Sequence, residues 1–210
     1  MRIGRLAAAV GCGIAGAIAF GWYRRWHLRW GATVDEVQGP LPGDAIVPVP
    51  RFEATRAVTI DAPPAAVWPW LAQIGRGRAG FYAYDLLDNA GEPSAERILP
   101  EHQHLAVGDL AAPMALPADD RNSFRVFGFE EPEWLGWAKP GSTWVWVLRP
   151  LDDGQRTRLV VRLKATDRLP WSLVSAPLLE LGDFPMMRKE LLGIKARAEA
   201  GDGSALTGGR

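Results

Sequence analysis

The chain has 210 residues, 48% of them apolar, enough for one well-buried core and scarcely for two. Its formal net charge is zero only because residues 1–30 hold five arginines and no acid, leaving 19 basic and 24 acidic residues beyond them. That mildly acidic remainder lacks the basic footprint that phosphate neutralisation demands, which excludes nucleic acid as a partner, and the single cysteine, Cys12, excludes an intramolecular disulfide and a cysteine-based metal site.

Leu6 to Tyr23 is a run of 18 residues without a charge. As a helix it would be roughly 27 Å long, close to the ~30 Å hydrocarbon core of a bilayer, so residues 1–30 read as an N-terminal transmembrane helix with its flanks. Arg2 and Arg5 stand at one end; Arg24, Arg25 and Arg29 stand at the other among Trp22, Tyr23, Trp26 and Trp30. Trp22, Trp26 and Trp30 share one helical face, as an interfacial aromatic belt does. The arginine balance tilts slightly toward a single-pass protein with a cytoplasmic domain. Gly13, Ala17 and Gly21 recur every fourth position and would let two such helices approach, a route to a weak homodimer.

Two other readings use the same residues. A basic start followed by Ala17-Ile18-Ala19 fits a cleaved signal peptide. Gly11-Cys12-Gly13-Ile14-Ala15-Gly16 matches a dinucleotide fingerprint, with Asp35 and Glu36 at about the right remove. The fingerprint needs a strand before it and a second parallel strand after it, whereas here an Arg and Trp cluster and then prolines follow. No cofactor is expected.

Gly39 to Pro50 contains four prolines and two glycines, so residues 31–53 read as an extended connection that packs along the domain. The globular part, 54–200, opens with strand Arg56 to Ile60, rich in β-branched residues. Asp61 offers a cap, and Pro63 and Pro64 suit a first helical turn. Val67, Leu71 and Ile74 then recur at helical spacing up to Gly75, with Pro69 shortening or kinking the helix. After Gly-Arg-Gly-Arg-Ala-Gly a second short helix is expected over Phe81 to Asn89, with Tyr82, Leu86 and Asn89 on one face.

Strands are then expected from Asp109 to Met114, Phe124 to Glu130 (Phe127 and Phe129 on one face), Trp134 to Trp137 and Thr143 to Leu148. Asp152-Asp153-Gly154 marks a hairpin into Arg156 to Lys164, whose strict alternation puts Leu159, Val161 and Leu163 inward and Arg158, Val160, Arg162 and Lys164 outward. That alternation predicts an antiparallel sheet with one wet face. The last element, Trp171 to Ala200, carries the stripe Phe184, Met187, Leu191, Ile194 and Ala198, with Gly182 and Pro185 expected to break or kink it. Residues 201–210 read as a disordered tail.

The wording APPAAVWPWLAQIGRGRAGFYAYD, the order strand, two short helices, β region, helix, and the closing FPMMRKELLGIKARAE resemble the SRPBCC superfamily, in a bacterial membrane-anchored branch. That group includes START lipid-transfer domains, birch-pollen-allergen-like proteins and polyketide cyclases. The resemblance implies an α+β helix-grip fold, a curved antiparallel sheet around a long C-terminal helix. It also implies an apolar-ligand pocket, with Arg78, Tyr82, Tyr84 and Asp85 as polar rim groups and Met187, Leu191 and Ile194 lining the helix side. Function then follows as binding or transfer of a lipid or other hydrophobic small molecule. A cyclase or dehydratase using Asp85, Tyr84 and Arg78 on a bound carbonyl compound is the enzymatic alternative, and a structural membrane protein with a tryptophan-filled interior is a third. Trp68, Trp70, Trp134, Trp137, Trp144 and Trp146 all lie inside the domain, which suits either core packing or a pocket wall.

Other candidate chemistry is thin. His102 and His104 could share a strand face toward a metal, but nothing adjacent completes a ligand set. Asp85 and Asp88 form an i, i+3 carboxylate pair of the kind that does acid and base work when burial separates their pKa values.

The anchor reading predicts that the full chain sediments with membranes and resists carbonate extraction; release into the soluble fraction, or an amino terminus beginning near Phe20, overturns it.

Overall fold

Strand β1 (Phe52–Ile60) lies antiparallel to β6 (Arg156–Ala165) over nine residue pairs, from Phe52 opposite Ala165 to Ile60 opposite Thr157. The computed structural model describes residues 2–113, 123–166 and 172–201, with side chains over all of these except 2–10, 12–14, 112–113 and 172–181. Between β1 and β6 come α3 (Pro64–Ala72), α4 (Asp85–Asp88), a 3-10 turn (Pro100–His102), and strands β2 (Leu110–Pro113), β3 (Ser123–Glu130), β4 (Trp134–Lys139) and β5 (Ser142–Leu151). Strands β2 to β6 form a meander and β1 closes its end, giving the order β1-β6-β5-β4-β3-β2. Register shifts in β2 and β3 are bulges, which bend the strands that hold them. Helix α5 (Ser172–Ala200) packs on β1 and α3. This α+β order, with a six-stranded antiparallel sheet gripping a C-terminal helix, is consistent with the helix-grip expectation.

The stripe on α5 is buried throughout: Phe184, Met187, Leu191, Ile194 and Ala198 all face the sheet, where Trp137, Trp144, Trp146, Leu159 and Val161 meet most of them in one cluster. Burying that stripe is what makes so long a helix stable, since propensity alone would not hold Gly182 and Pro185 inside it. The helix is in fact continuous through both, contrary to the expected break. Gly193 marks its tightest approach, because a Cβ there would stand 2.3 Å from the Tyr82 carbonyl oxygen.

Several local expectations are corrected. Asp61 does not cap α3: its carboxylate goes to Arg156 at 2.7 Å, and Pro63 takes the cap position. Helix α3 stops at Ala72, three residues before Gly75, which instead pairs with Gly80 in a small hairpin and sits with φ 132° against the Ala111 carbonyl. The second helix shrinks from nine residues to Asp85–Asp88, because Tyr82 takes φ 57° and cannot continue a helical turn. Leu86, expected on one face with Tyr82 and Asn89, is 80% exposed while those two are buried. Phe127 and Phe129 fall on opposite faces: the bulge between Val126 and Gly128 turns Phe129 inward to Trp68 and leaves Phe127 outside against Gly43 and Trp134. Met114, Trp171 and residues 202–210, which the expected strand end, helix start and tail include, lie outside the described residues.

The outer face is not wholly wet. Helix α2 (Val34–Gln38), capped by the reciprocal Thr33 and Glu36 bonds, and the proline-rich stretch after it lie across β1 and β6. Arg162 is buried there, bonding Thr55 Oγ1, Asp44 Oδ2 and the carbonyls of Glu36, Val37 and Gly39. Arg158 grips both Glu36 oxygens at 2.7 and 2.8 Å, holding that carboxyl below its usual range, and Lys164 reaches Asp44. Leu41, Ala57 and Val160 form a second small core under this strap.

Helix α1 (Arg2–His27) is joined to the sheet without slack. Thr55 N donates to Leu28 O and Ala57 N to Trp30 O, so residues 28–31 pair along the free side of β1. Among the described residues no helix is long and apolar enough to cross a membrane, and the side chains of most of the first half of the expected Leu6–Tyr23 span lie outside the described set.

The Gly193 contact sets a clean comparison within one helix. Gly193→Ala should destabilise by about 1–3 kcal/mol through overpacking, whereas Gly182→Ala, where a Cβ meets nothing within 4 Å, should stabilise by a few tenths up to about 1 kcal/mol. Denaturant melts of the two variants beside the wild type check both signs.

Candidate functional site

The alternation of β4 and β5 puts Trp137, Trp144 and Trp146 on the face toward α5, with Trp137 directly opposite Trp144. Their rings touch: Trp137 lies 4.4 Å from Trp146 and 5.6 Å from Trp144, and Trp144 stacks on Trp146 at 4.8 Å. Such contacts account for close packing but leave the indole N–H groups unused, and all three Nε1 atoms are shielded from water with no hydrogen-bond partner among the described residues. Met187, Leu191 and Ile194 pack into the same cluster.

The sequence reading passed over Glu190, which shares the buried face of this helix. It is only 3% exposed, and its Oε1 atom is also unpartnered. Burial pushes its carboxyl well above the ordinary range; the neighbouring acids Asp88 and Asp183 push the same way, while Trp146 and Arg56 offset them in part. Trp146 stands near enough to draw the acid's pKa down, yet the pair falls outside hydrogen-bond geometry. The interior thus sets a carboxylic acid that holds its proton more tightly than usual beside three indole donors.

Seven residues earlier on α5, Asp183 Oδ2 stands 2.7 Å from Arg56 NH1. The contact is short but not aligned as a directed hydrogen bond, so charge rather than geometry holds it. Arg56 also donates from Nε to the His27 carbonyl and lies 5.3 Å over the Phe184 ring. Burial raises the Asp183 carboxyl against the pull of Arg56. Asp183 and Glu190, seven residues apart and so on one helical face, were the available signal for this polar track.

The rim groups anticipated from the sequence separate into three places. Tyr82 is buried; its hydroxyl accepts from Gln73 Nε2 and donates to the Trp70 carbonyl, its ring carries Arg197 at 4.4 Å, and burial raises its pKa strongly. Arg78 binds the carbonyls of Ala72 and His102, which ties two loops, and burial lowers its pKa. Asp85 accepts from Ser94 N, Ser94 Oγ and Asn89 Nδ2, which closes the 85–94 loop and lowers its pKa. Tyr84 alone is exposed, under the Lys189 ammonium. Arg78, Tyr84 and Asp85 therefore share no bonded partner, whereas Met187, Leu191 and Ile194 share one cluster. Asp88 has its pKa raised by burial, and Asp85 adds to this, so the two carboxyls do part in the direction suited to acid and base work. Among the described residues no three metal-ligating side chains gather, at His102 and His104 or elsewhere.

A surface hollow of about 390 Å³ opens beside this interior, walled by Trp26, Trp30, Tyr84, Phe184, Arg188 and Lys189.

No family model and no curated protein matches the chain. Among solved structures it is similar to a polyketide-cyclase-like protein of Corynebacterium glutamicum, at 18% identity and TM-score 0.42 over 68% of this chain and 88% of that one. A protein of Arthrobacter aurescens matches at 17% identity and TM-score 0.41, over 70% of this chain and 86% of that one. A Mycobacterium smegmatis protein matches at 15% and 0.41, over 70% and 91%.

Because the Glu190 carboxyl titrates higher folded than unfolded, its contribution to stability is full below its ordinary value of 4.5 and is lost as pH rises toward the native value. Glu190→Gln should flatten that part of the profile. Melting temperatures followed from about pH 5 to about pH 9 should fall more steeply in the wild type than in the variant, and parallel curves would show that Glu190 is not the buried acid.

Proposed function

We propose that the domain binds a hydrophobic small molecule carrying an oxygen or similar polar group in the interior between β4, β5 and α5, and that α1 holds it at a membrane. One observation carries the reading: the Nε1 atoms of Trp137, Trp144 and Trp146 and the Glu190 Oε1 atom are buried and unbonded among the described residues. An unmade bond to a buried polar group costs about 1–3 kcal/mol, so four such atoms in one aromatic interior favour a guest that supplies the missing partners. Three indole donors beside a carboxyl whose pKa burial raises suit an acceptor-bearing ligand such as a fatty acyl, carbonyl or sterol-like compound. The apolar surround of Met187, Leu191 and Ile194 suits its body.

The support for the membrane half lies in the uncharged Leu6–Tyr23 run and in the helical backbone from Arg2 to His27. The cytoplasmic side remains the preferred placement of the domain on the arginine balance.

A second reading has its own observation. Burial that raises a carboxyl's pKa suits it to act as a general acid, so a cyclase or dehydratase would work through Glu190. Arg78, Tyr84 and Asp85 are occupied or dispersed in this structure.

The full chain in nanodiscs is the right material, since a cut at residue 31 would strip the pairing of residues 28–31 from β1. Extraction of the purified protein into organic solvent should release an apolar compound detectable by mass spectrometry. The neutral fluorophore N-phenyl-1-naphthylamine should compete with it, and Trp146→Phe, which removes one donor, should weaken the native compound about tenfold. Leu191→Trp should abolish both. If the wild type binds nothing and Leu191→Trp only lowers the melting temperature, the interior is a filled core. Turnover of the released compound that is lost in Glu190→Gln would favour the enzymatic reading.

A further inference from the structure

The hollow at the end of α1 is separate from the interior just described. Its floor is aromatic, with Trp26 edge-on to Phe184 at 5.1 Å and Trp30 edge-on to the same ring at 6.3 Å. Two exposed cations stand on this floor. The Arg188 guanidinium lies 5.1 Å over the Trp30 ring, and the Lys189 ammonium lies 4.3 Å over Tyr84. A cation held over a ring is positioned without being neutralised. Neither cation reaches a carboxylate at ion-pair distance among the described residues: Asp183 is committed to Arg56, Asp85 to Ser94 and Asn89, and Asp88 accepts from Tyr84 N while lying near enough for the Lys189 charge to act on it.

The surface around the hollow is apolar to a degree that water does not favour. Trp22 is 77% exposed, and Leu86 and Leu87, on the short helix that follows Tyr84, are 80% and 71% exposed. Arg25 and Arg29 stand exposed beside Trp26. Tryptophan rings, bare leucines and unpaired cations on one side of a fold match the layering of a bilayer interface, apolar chains beneath anionic phosphates.

We propose that this hollow holds the phosphate headgroup of an anionic phospholipid, with Arg188 and Lys189 pairing with the phosphodiester, Trp26 and Trp30 contacting the glycerol and upper acyl carbons, and Leu86 and Leu87 entering the same leaflet. From the preceding reading it takes only that α1 brings the chain to a membrane; it does not depend on an interior ligand. A free phosphate would satisfy the two cations and leave the aromatic floor and the leucines in water, which is why the lipid is the occupant.

The test titrates the full chain in dodecyl maltoside with dioctanoyl phosphatidylglycerol, dioctanoyl phosphatidylcholine or inorganic phosphate, with occupancy read by native mass spectrometry. Phosphatidylglycerol should form a one-to-one adduct at least tenfold more tightly than phosphatidylcholine. The double variant Arg188→Gln, Lys189→Gln should lose that preference, the charge-preserving exchange Arg188→Lys, Lys189→Arg should keep it, and Glu190→Gln should leave it unchanged. Should the double variant melt lower than the wild type, Leu86→Ser with Leu87→Ser, both on the surface, serves instead: it should reduce retention on phosphatidylglycerol nanodiscs in bromolipid quenching of tryptophan fluorescence. Equal binding of the two lipids, an undiminished adduct in the double variant, or displacement of the lipid by equimolar inorganic phosphate overturns the proposal. Carbonate-resistant sedimentation with no lipid preference would remove the headgroup site and leave the anchor standing.

Discussion

Arg56 is the residue on which the arrangement of elements depends. A guanidinium on the inner face of a sheet is an expensive thing to bury, and removing a partner from such a group is strongly destabilising because the charge left behind has no water to turn to. Here it joins three elements at once: the carbonyl that ends α1 at His27, β1 itself, and the Asp183 carboxylate on α5, with Phe184 beneath it. Once Asp183 is fixed at this point, the helical rise carries Glu190 two turns further, about 10 Å along the axis, to the tryptophans of β4 and β5. The position of the buried acid is thus a consequence of where the buried base sits.

The two faces of the sheet are solved by different physics. Inside, large aromatic rings fill space and the polar remainder is small. Outside, where β6 presents Arg158, Arg162 and Lys164, the chain folds its own proline-rich segment back over the cations and satisfies them with Glu36, Asp44 and a run of backbone carbonyls. The carbonyls of Glu36, Val37 and Gly39 suit this role because the last carbonyls of a helix have no partner within it and are free to accept. Val160, outward by alternation yet buried, is explained by the same covering segment.

Elements whose pattern arises from burial on one side were legible in the sequence. The α5 stripe, the alternation of β6 and the hairpin at Asp152 to Gly154 each follow from periodicity, and each is present. What escaped was set by contacts remote in sequence. The left-handed Tyr82, the capture of Asp61 by Arg156 and the bulge that separates Phe127 from Phe129 all depend on partners that no local window contains. The candidate site divides in the same way. Met187, Leu191 and Ile194 were visible as a stripe, whereas Glu190 looked like one more charged helix residue until the face it occupies was known. Arg78, Tyr82 and Asp85 were chosen for their chemistry, and in the structure that chemistry is used on nearby main chain and loop groups.

The pairing of residues 28–31 along β1 has a consequence for how many copies can live close together. A sheet of this kind has two rims, and an open rim is a template for another chain's strand. On one side the hydrogen-bonding groups of β1 at Thr55 and Ala57 are already occupied from within the chain. On the other, the described part of β2 is bulged and includes a proline that has no N–H to offer. Confinement to a bilayer plane would raise the local concentration of such domains far above that in free solution. With both rims blunted, crowding of that kind gives little opening for strand exchange between neighbours.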